Sequence, residues 1–348
     1  MNRVNVDYLK QKCLEIFTRA GISEGDATLL TTVLVTTDMR GVYSHGVLRI
    51  ASYLDCLSAG GILPNTEIKI LSESPASLQV SAAGGLGIPA SYKTMSRVIE
   101  KCKEQAVVCA TVNHSDHYGA AGYYAMMGAD AGLLTFSMSN TCPLVAPTGG
   151  RACTIGNNPF AYAAPGQKHH AVLFDVCMSK VASGKIAIMA QEGKPIPSDW
   201  ILDRNGNPTT DGNEVFHGGI MLPFAEHKGY GFAVMVELMT GVLAMSGMMD
   251  EVKSWNKKPG RDSNTGHCFI TINPSFFGGI DRFRQRVDEM IDRLKACPPA
   301  DGVQEVLYPG ELEERRVADA LKNGIPLPEP SRKELLRAAQ TTGVSLDI

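Results

Sequence analysis

The stretch 107–165 constrains this fold more than any other part of the chain. Val107-Val108-Cys109-Ala110-Thr111-Val112 is short, apolar and β-branched, the pattern of a buried strand. It breaks into the polar run Asn113-His114-Ser115-Asp116-His117-Tyr118-Gly119. A helical pattern resumes over 120–131, and a second buried strand is predicted over 133–138. Asn140-Thr141-Cys142-Pro143 and the glycine-rich Pro147-Thr148-Gly149-Gly150 and Gly156-Asn157-Asn158-Pro159 follow. Polar side chains at the mouth of a buried strand, facing loops with bare backbone amides, are the ingredients of a small-molecule site. The unit reads as the core of an enzyme.

The flanking sequence divides into helical ends and a mixed middle. Helices are predicted over 7–20, 23–40 and 47–59, each stopped by glycine, with Ser23 capping the second. Ser44 is a natural N-cap for the third, with His45 beside it and Arg49 one turn in. Strands over 67–72 and 77–82, joined through Pro75, precede a helix over 89–104. A strand over 171–176, a helix over 181–191 and a turn-rich excursion over 195–210 come after the core. A strand over 267–272, an amphipathic helix over 281–296 and two polar helices over 311–322 and 331–341 complete the chain. Residues 257–261 read as a surface loop. The apolar run 231–249 carries Glu237 near its middle, which favours a buried helix at a subunit contact over a membrane span.

At 348 residues, length alone suggests about two domains. The net charge of −3, with no basic run, excludes an electrostatic footprint for nucleic acid. Nine cysteines without a Cys-x-x-Cys pair read as reduced thiols in the cytosol, and the first ten residues have no apolar signal core.

The usual chemistries are tested by spacing. No strand–Gly-x-Gly-x-x-Gly–helix unit is present, so a Rossmann dinucleotide site is excluded. Lys228 before Gly229-Tyr230-Gly231 at a helix N-terminus is either an anion site or a solvated lysine. His114-x-x-His117 lacks zincin spacing and a third ligand, and no Gly-x-Ser-x-Gly elbow occurs, so neither a metal site nor a serine hydrolase is expected.

Asp38-x-Arg40-Gly41-x-x-Ser44-His45-Gly46-x-x-Arg49, Asp116-His117-Tyr118-Gly119-Ala120, Pro147-x-Gly149-Gly150, Gly156-x-Asn158-Pro159, Phe174-Asp175, Gly184-Lys185 and Lys228-Gly229-Tyr230-Gly231 occur in that order. Together with Pro298-x-x-x-Gly302, they resemble the malate/L-lactate dehydrogenase family, which includes ureidoglycolate and sulfolactate dehydrogenases and ketoacid and cyclic-imine reductases. The resemblance implies an α/β (α+β type) fold with a non-Rossmann NAD(P)-binding domain on a mixed, largely antiparallel sheet. It also implies a helical domain formed from both termini, and a homodimer. The expected division is 1–72, 73–295 with an excursion at 181–215, and a tail at 296–348 packing back on the N-terminal part.

Carried over by motif, His117 resembles the family's acid/base residue, and Ser44, His45 and Arg49 its substrate group. Thr141, Asp175, Val176, Cys177, Lys228, Gly229, Pro309, Gly310 and Glu311 resemble its cofactor contacts. Cys177 and Glu226-His227 depart from the family pattern. An arginine forks two hydrogen bonds onto a carboxylate, so Arg49 is assigned the substrate carboxylate. Histidine, with an ordinary pKa near 6.5, works in both directions near neutrality, so His117 is assigned the hydroxyl proton. The expected activity is interconversion of a small 2-hydroxy acid and its 2-oxo acid with NAD, NADP remaining possible. The alternatives are a reductase of a diketo acid or cyclic imine, and a non-catalytic binding protein on the same scaffold.

Overall fold

The structure, a computed structural model, describes residues 3–257 and 259–348. Strands β1 (Lys69–Ser74), β2 (Ser77–Ser81), β3 (Val107–Ser115) and β4 (Leu134–Ser139) begin the principal sheet. The chain then forms the short β5 (Pro143–Val145) and β6 (Ile155–Gly156), and returns as β7 (Phe160–Ala164) and β8 (Val172–Val176). After β9 (Ile201–Leu202) and β10 (Ile220–Met221), β11 (Thr265–Ile272) inserts into the middle of the principal sheet. The seven-stranded order is β1-β2-β3-β11-β4-β7-β8, with β2 and β3 parallel and the other neighbours antiparallel. The sheet is therefore mixed and largely antiparallel.

Because β11 runs antiparallel to both β3 and β4, those two strands point the same way, and β8 joins them through β7. The C-terminal ends of β3, β4 and β8 thus open at one edge of the sheet. That edge carries His117, Thr141 and Cys177, each one or two residues beyond its strand.

Helices α1 (Val6–Arg19), α2 (Glu24–Met39) and α3 (Ile50–Ser58) come before the sheet. Helices α4 (Gly87–Lys101) and α5 (Ala121–Asp130) cover one of its faces, and α6 (Ser183–Gln191) and α7 (His227–Glu237) follow. Helices α8 (Ile280–Lys295), α9 (Glu311–Asn323) and α10 (Glu329–Thr342) close the chain. Alternation along β3 explains its unbroken apolar character. Val108, Ala110 and Val112 pack with Met95 and Val98 of α4 and Tyr124 of α5, while Cys109 faces the cluster containing Ala233 and Val236 of α7.

A separate core joins both ends of the chain. Leu9, Phe17, Leu34, Ile50 and Tyr53 pack with Leu335, Ala338 and Ala339 of α10. Val4 bridges Ile325, and Arg337 forks onto Asp55 at 3.0 and 2.9 Å.

Two expectations are corrected. The third helix begins at Ile50 instead of 47, because 43–45 and 47–49 form tight 3₁₀ turns that carry Ser44, His45 and Arg49. The apolar run 231–249 is not one helix: α7 ends at Glu237 and widens into a π-helical turn, Leu238–Val242. Beyond that turn the chain comes back, and the buried Glu237 carboxylate accepts from Asn158 Nδ2 at 2.8 Å and from the Met249 amide at 2.6 Å. The loop at 257–261, of which Lys258 lies outside the described residues, lies at the surface as expected, close against the chain that follows α3. A side chain at Gly61 would stand 1.8 Å from the Pro259 carbonyl oxygen. The small sheet β6-β5-β10-β9 was not foreseen, since strands of two or three residues carry no readable periodicity.

Candidate active site

His117 stands where β3 releases the chain. The buried Asp116 carboxylate accepts the His117 amide at 2.6 Å and holds the turn, and burial pushes that carboxyl up to about 7. Behind the turn, His267 of β11 lies wholly inside the protein, bonded at 2.9 Å to Ser139 Oγ by Nδ1 and to Ser115 Oγ by Nε2. It stacks on Tyr118 with ring centroids 4.3 Å apart, and burial lowers its pKa to about 3. A neutral, doubly bonded imidazole therefore ties the ends of β3, β4 and β11 together.

The second element is the pair of 3₁₀ turns at 43–49. Ser44 was expected to cap the helix that follows, but Asp38 of α2 takes that role. Its Oδ2 accepts the Val47 amide at 2.8 Å. Asp38 has no ion-pair partner among the described residues, and burial raises its pKa well above the usual carboxylate range. Gly46 is required over it, since a Cβ there would stand 1.9 Å from Asp38 Oδ1. Freed from capping, Ser44 Oγ meets His45 Nδ1 at 2.8 Å, and the Ser44 carbonyl accepts Arg49 Nε at 2.7 Å. That bond orients the guanidinium, and no hydrogen-bond partner of its two terminal nitrogens occurs among the described residues.

The fold brings these two elements into contact. The rings of His45 and His117 stack with centroids 5.6 Å apart at 20°. Desolvation, with a smaller contribution from Arg49, lowers the pKa of His45 to about 4. Desolvation also holds His117 well below the ordinary histidine value, reinforced by His45, Arg49 and His267. Both imidazoles are neutral at pH 7, and Arg49 is the local cation.

Two contributors were missed in the sequence. Tyr53, fully buried on α3, places its hydroxyl 2.6 Å from His117 Nδ1. Its position four residues after Arg49 puts it on the same helix face, a spacing that could have revealed it. Trp255 stacks on His117 with centroids 4.6 Å apart at 19°, and the Arg49 guanidinium lies 5.9 Å from its ring. Its signal was weaker: one of two tryptophans in the chain, in a polar loop.

The residues expected to hold a cofactor form a second region at the same sheet edge. A run of hydrogen bonds stitches it together: the Asn157 amide to Thr141 Oγ1 at 3.0 Å, Met178 N to Asn157 O at 2.9 Å, Phe224 N to Met178 O at 3.0 Å and Gly229 N to Phe224 O at 3.1 Å. Thr141, Cys177 and Lys228-Gly229 are thereby neighbours in this run. The helix-terminus reading of Lys228 needs correction, however. The amides of Lys228, Gly229 and Tyr230 already donate to the carbonyls of Ala225, Phe224 and Glu226, so they do not point free at an anion. What remains is the exposed Lys228 side chain, which has no ion-pair partner among the described residues.

The other expected cofactor residues also have structural work. Asp175 Oδ2 accepts the Gly122 amide at 2.7 Å, bonding the first turn of α5 directly after the His117 loop. Val176 pairs with Phe160, and Cys177 Sγ lies 3.2 Å from Ser179 Oγ. Pro309 and Gly310 sit further back along β8, where the Pro309 carbonyl accepts the Leu173 amide at 3.0 Å. Glu311 is held by Lys295 at 2.7 Å and Arg315 at 2.6 Å. Among the described residues, no three His, Cys, Asp or Glu side chains gather to hold a metal ion.

Comparison with known proteins finds similarity over almost the whole chain. A malate dehydrogenase of Pyrococcus horikoshii is 36% identical over 98% of this chain and 96% of its own. Its solved structure superimposes with a TM-score of 0.90 over 99% of this chain and 96% of that one, at 34% identity. The NAD(+) ureidoglycolate dehydrogenase of Escherichia coli O157:H7 is 32% identical over 89% of this chain and 88% of its own. A Delta(1)-pyrroline-2-carboxylate/Delta(1)-piperideine-2-carboxylate reductase of Pseudomonas putida is 31% identical, covering 96% and 97%. The model of the malate/L-lactate dehydrogenase family matches residues 4–336. With the site at one sheet edge and the missing glycine fingerprint accounted for by a non-Rossmann sheet, the chain belongs to the malate/L-lactate dehydrogenase family of oxidoreductases.

Proposed function

We propose that this protein interconverts a small 2-hydroxy acid and its 2-oxo acid by hydride transfer to and from NAD, with NADP as the less favoured cofactor. The observation that carries the reading is the contact between a neutral, desolvated His117 and the turn bearing His45 and Arg49. Arg49 is oriented through Nε, which leaves its terminal nitrogens to fork onto the substrate carboxylate. His117 takes the hydroxyl proton on a ring nitrogen as the C2 hydride departs, and returns it in reduction. His45 packs beside it and is held by Ser44. The nicotinamide, when bound, supplies the hydride acceptor. Lys228 would hold its pyrophosphate as a point charge, and Thr141 and the Asp175–Cys177 segment would line the same region. The likeness to the NAD(+) ureidoglycolate dehydrogenase of Escherichia coli supports NAD.

The second reading is reduction of a cyclic imine or diketo acid, supported by the likeness to the Pseudomonas putida reductase. The test is to offer NAD+ or NADP+ with a panel of 2-hydroxy acids, and the reduced cofactors with oxo acids and cyclic imines, and to follow nicotinamide absorbance. Turnover of a hydroxy acid supports the first reading, and turnover of imines alone supports the second. Silence in both directions would favour a binding protein on this scaffold.

The protein is further read as a cytosolic homodimer. All nine cysteines are unpaired, and no described helix is long and apolar enough to cross a membrane. Phe232, Leu238, Val242, Leu243 and Met245 on and after α7 are exposed apolar side chains of the kind a subunit contact covers. Light scattering that returned a monomer-sized particle at assay concentration would remove the dimer.

A further inference from the structure

His117 has two ring nitrogens, and their surroundings differ. Nδ1 is approached by two donors: the Tyr53 hydroxyl at 2.6 Å and the Gly119 backbone N–H at 3.4 Å. A backbone N–H can only donate, so its direction identifies Nδ1 as the acceptor. Nε2 has no hydrogen-bond partner among the described residues. In a neutral imidazole one nitrogen carries the proton and the other the lone pair, so the resting proton belongs on Nε2.

We infer that Tyr53 is a positioning residue that selects the tautomer of His117, donating to Nδ1 in the free enzyme and accepting from Nδ1–H when the ring acts on substrate. The inference rests on the proposed reading of His117 as the acid/base group. Oxidation of a hydroxy acid needs the lone pair on the nitrogen that faces the hydroxyl. With Nδ1 committed to Tyr53 and Gly119, that nitrogen is Nε2, so the ring first exchanges with solvent: Nδ1 takes a proton from water to give the imidazolium, and Nε2 then returns one to water. The ring then has Nδ1–H pointing at Tyr53 Oη, and the hydroxyl proton of Tyr53 turns toward the His117 carbonyl oxygen, 3.4 Å away. When the substrate hydroxyl proton reaches Nε2 and the hydride leaves C2 for the nicotinamide, the product is an imidazolium whose Nδ1–H remains bonded to Tyr53.

Tyr53 can serve both states because it is always protonated. Burial, with Asp116 nearby, raises its pKa well above the ordinary tyrosine value. A hydroxyl can donate or accept, whereas the Gly119 amide cannot follow the change. The other groups around the ring do not replace it. His45 and Trp255 stack on the ring, Arg49 acts on it through charge, neutral His267 is held by Ser115 and Ser139, and the Asp116 carboxylate bonds the His117 amide.

The test is long-range ¹H–¹⁵N correlation on histidine-labelled free enzyme, wild type and Tyr53→Phe, at a pH where His117 is neutral. The wild type is expected to show protonated Nε2 and bare Nδ1. Tyr53→Phe keeps the buried ring shape and should move the population toward Nδ1–H. Because the Nδ1–H of the working ring and of the imidazolium then lacks its acceptor, kcat should still fall on the order of tenfold in both directions, with the KM of the acid little changed. An Nδ1–H ring in the wild type overturns the inference. So does a variant whose tautomer is unchanged, or one whose tautomer shifts while kcat does not. The tautomer is read without substrate, so a failure there is distinct from a failure of the hydroxy-acid reading.

Discussion

The two regions at the open sheet edge are built on opposite principles. Around His117, side chains meet side chains: two imidazoles, a guanidinium, a phenol and an indole are in mutual contact, and desolvation holds both imidazoles neutral. Around Thr141, Cys177 and Lys228, backbone meets backbone, and the polar side chains present are largely used to hold the loops. Thr141 Oγ1 serves Asn157, Asp175 serves Gly122, and the amides opening α7 serve their own turn. The first region is the preorganised cluster on which the proposed chemistry rests. The second is a surface of folded loops on which Lys228 has no ion-pair partner among the described residues, and the proposed function has it bind the cofactor by many modest contacts. Single substitutions should therefore be severe in the first region and mild in the second.

The sharpest break comes from His117→Asn, which retains polarity but cannot accept the hydroxyl proton. Loss of general base catalysis typically costs about 10²–10⁴-fold in rate. The loss should appear in kcat, while cofactor titration stays near wild type. Normal turnover in this variant beside a dead His45→Asn would exchange the roles of the two histidines.

Arg49→Lys ranks next. It keeps the charge but loses both the forked contact and the Nε bond to Ser44. The KM of the acid should rise, and misplacement can reduce kcat by up to about 10²-fold. Steady-state kinetics showing an unaltered KM would take the carboxylate away from Arg49.

The pH profile tests the desolvation directly. The folded pKa of His117 lies below the ordinary value of about 6.5, so the ring stays unprotonated as pH falls through that value. In oxidation, kcat/KM should stay level there and decline only at lower pH, reporting the free enzyme. An acid limb centred at the ordinary histidine value, lost in His117→Asn, would mean that the working ring is solvated.

The smallest effect is expected at Lys228. Lys228→Ala removes one exposed charge and leaves the occupied amides of the turn intact, so the cofactor Kd should rise only about tenfold. A loss as large as that at His117 would erase the contrast between the regions. Unchanged affinity would remove Lys228 from the cofactor's surroundings.

The sequence by itself determined the strands whose apolar runs are buried on both faces, the helices with clear stops, and the pairing of His117 with a Ser-His…Arg turn through family motifs. Those signals are local: a periodicity or a motif needs no knowledge of the rest of the chain. The tertiary structure decided whatever depends on residues far apart in sequence. Asp38, not Ser44, caps the 47–49 turn, because packing brings α2 beneath it. The run 231–249 folds back on itself, so that Met249 and Asn158 meet on the Glu237 carboxylate. The glycine amides after Lys228 are closed to anions, because the positive-φ residues Ala225 and Glu226 turn the chain back upon them. Tyr53 and Trp255 reach His117 from 64 positions before it and 138 after it, and only the packing of α3 and the 255 loop against the end of β3 makes them neighbours.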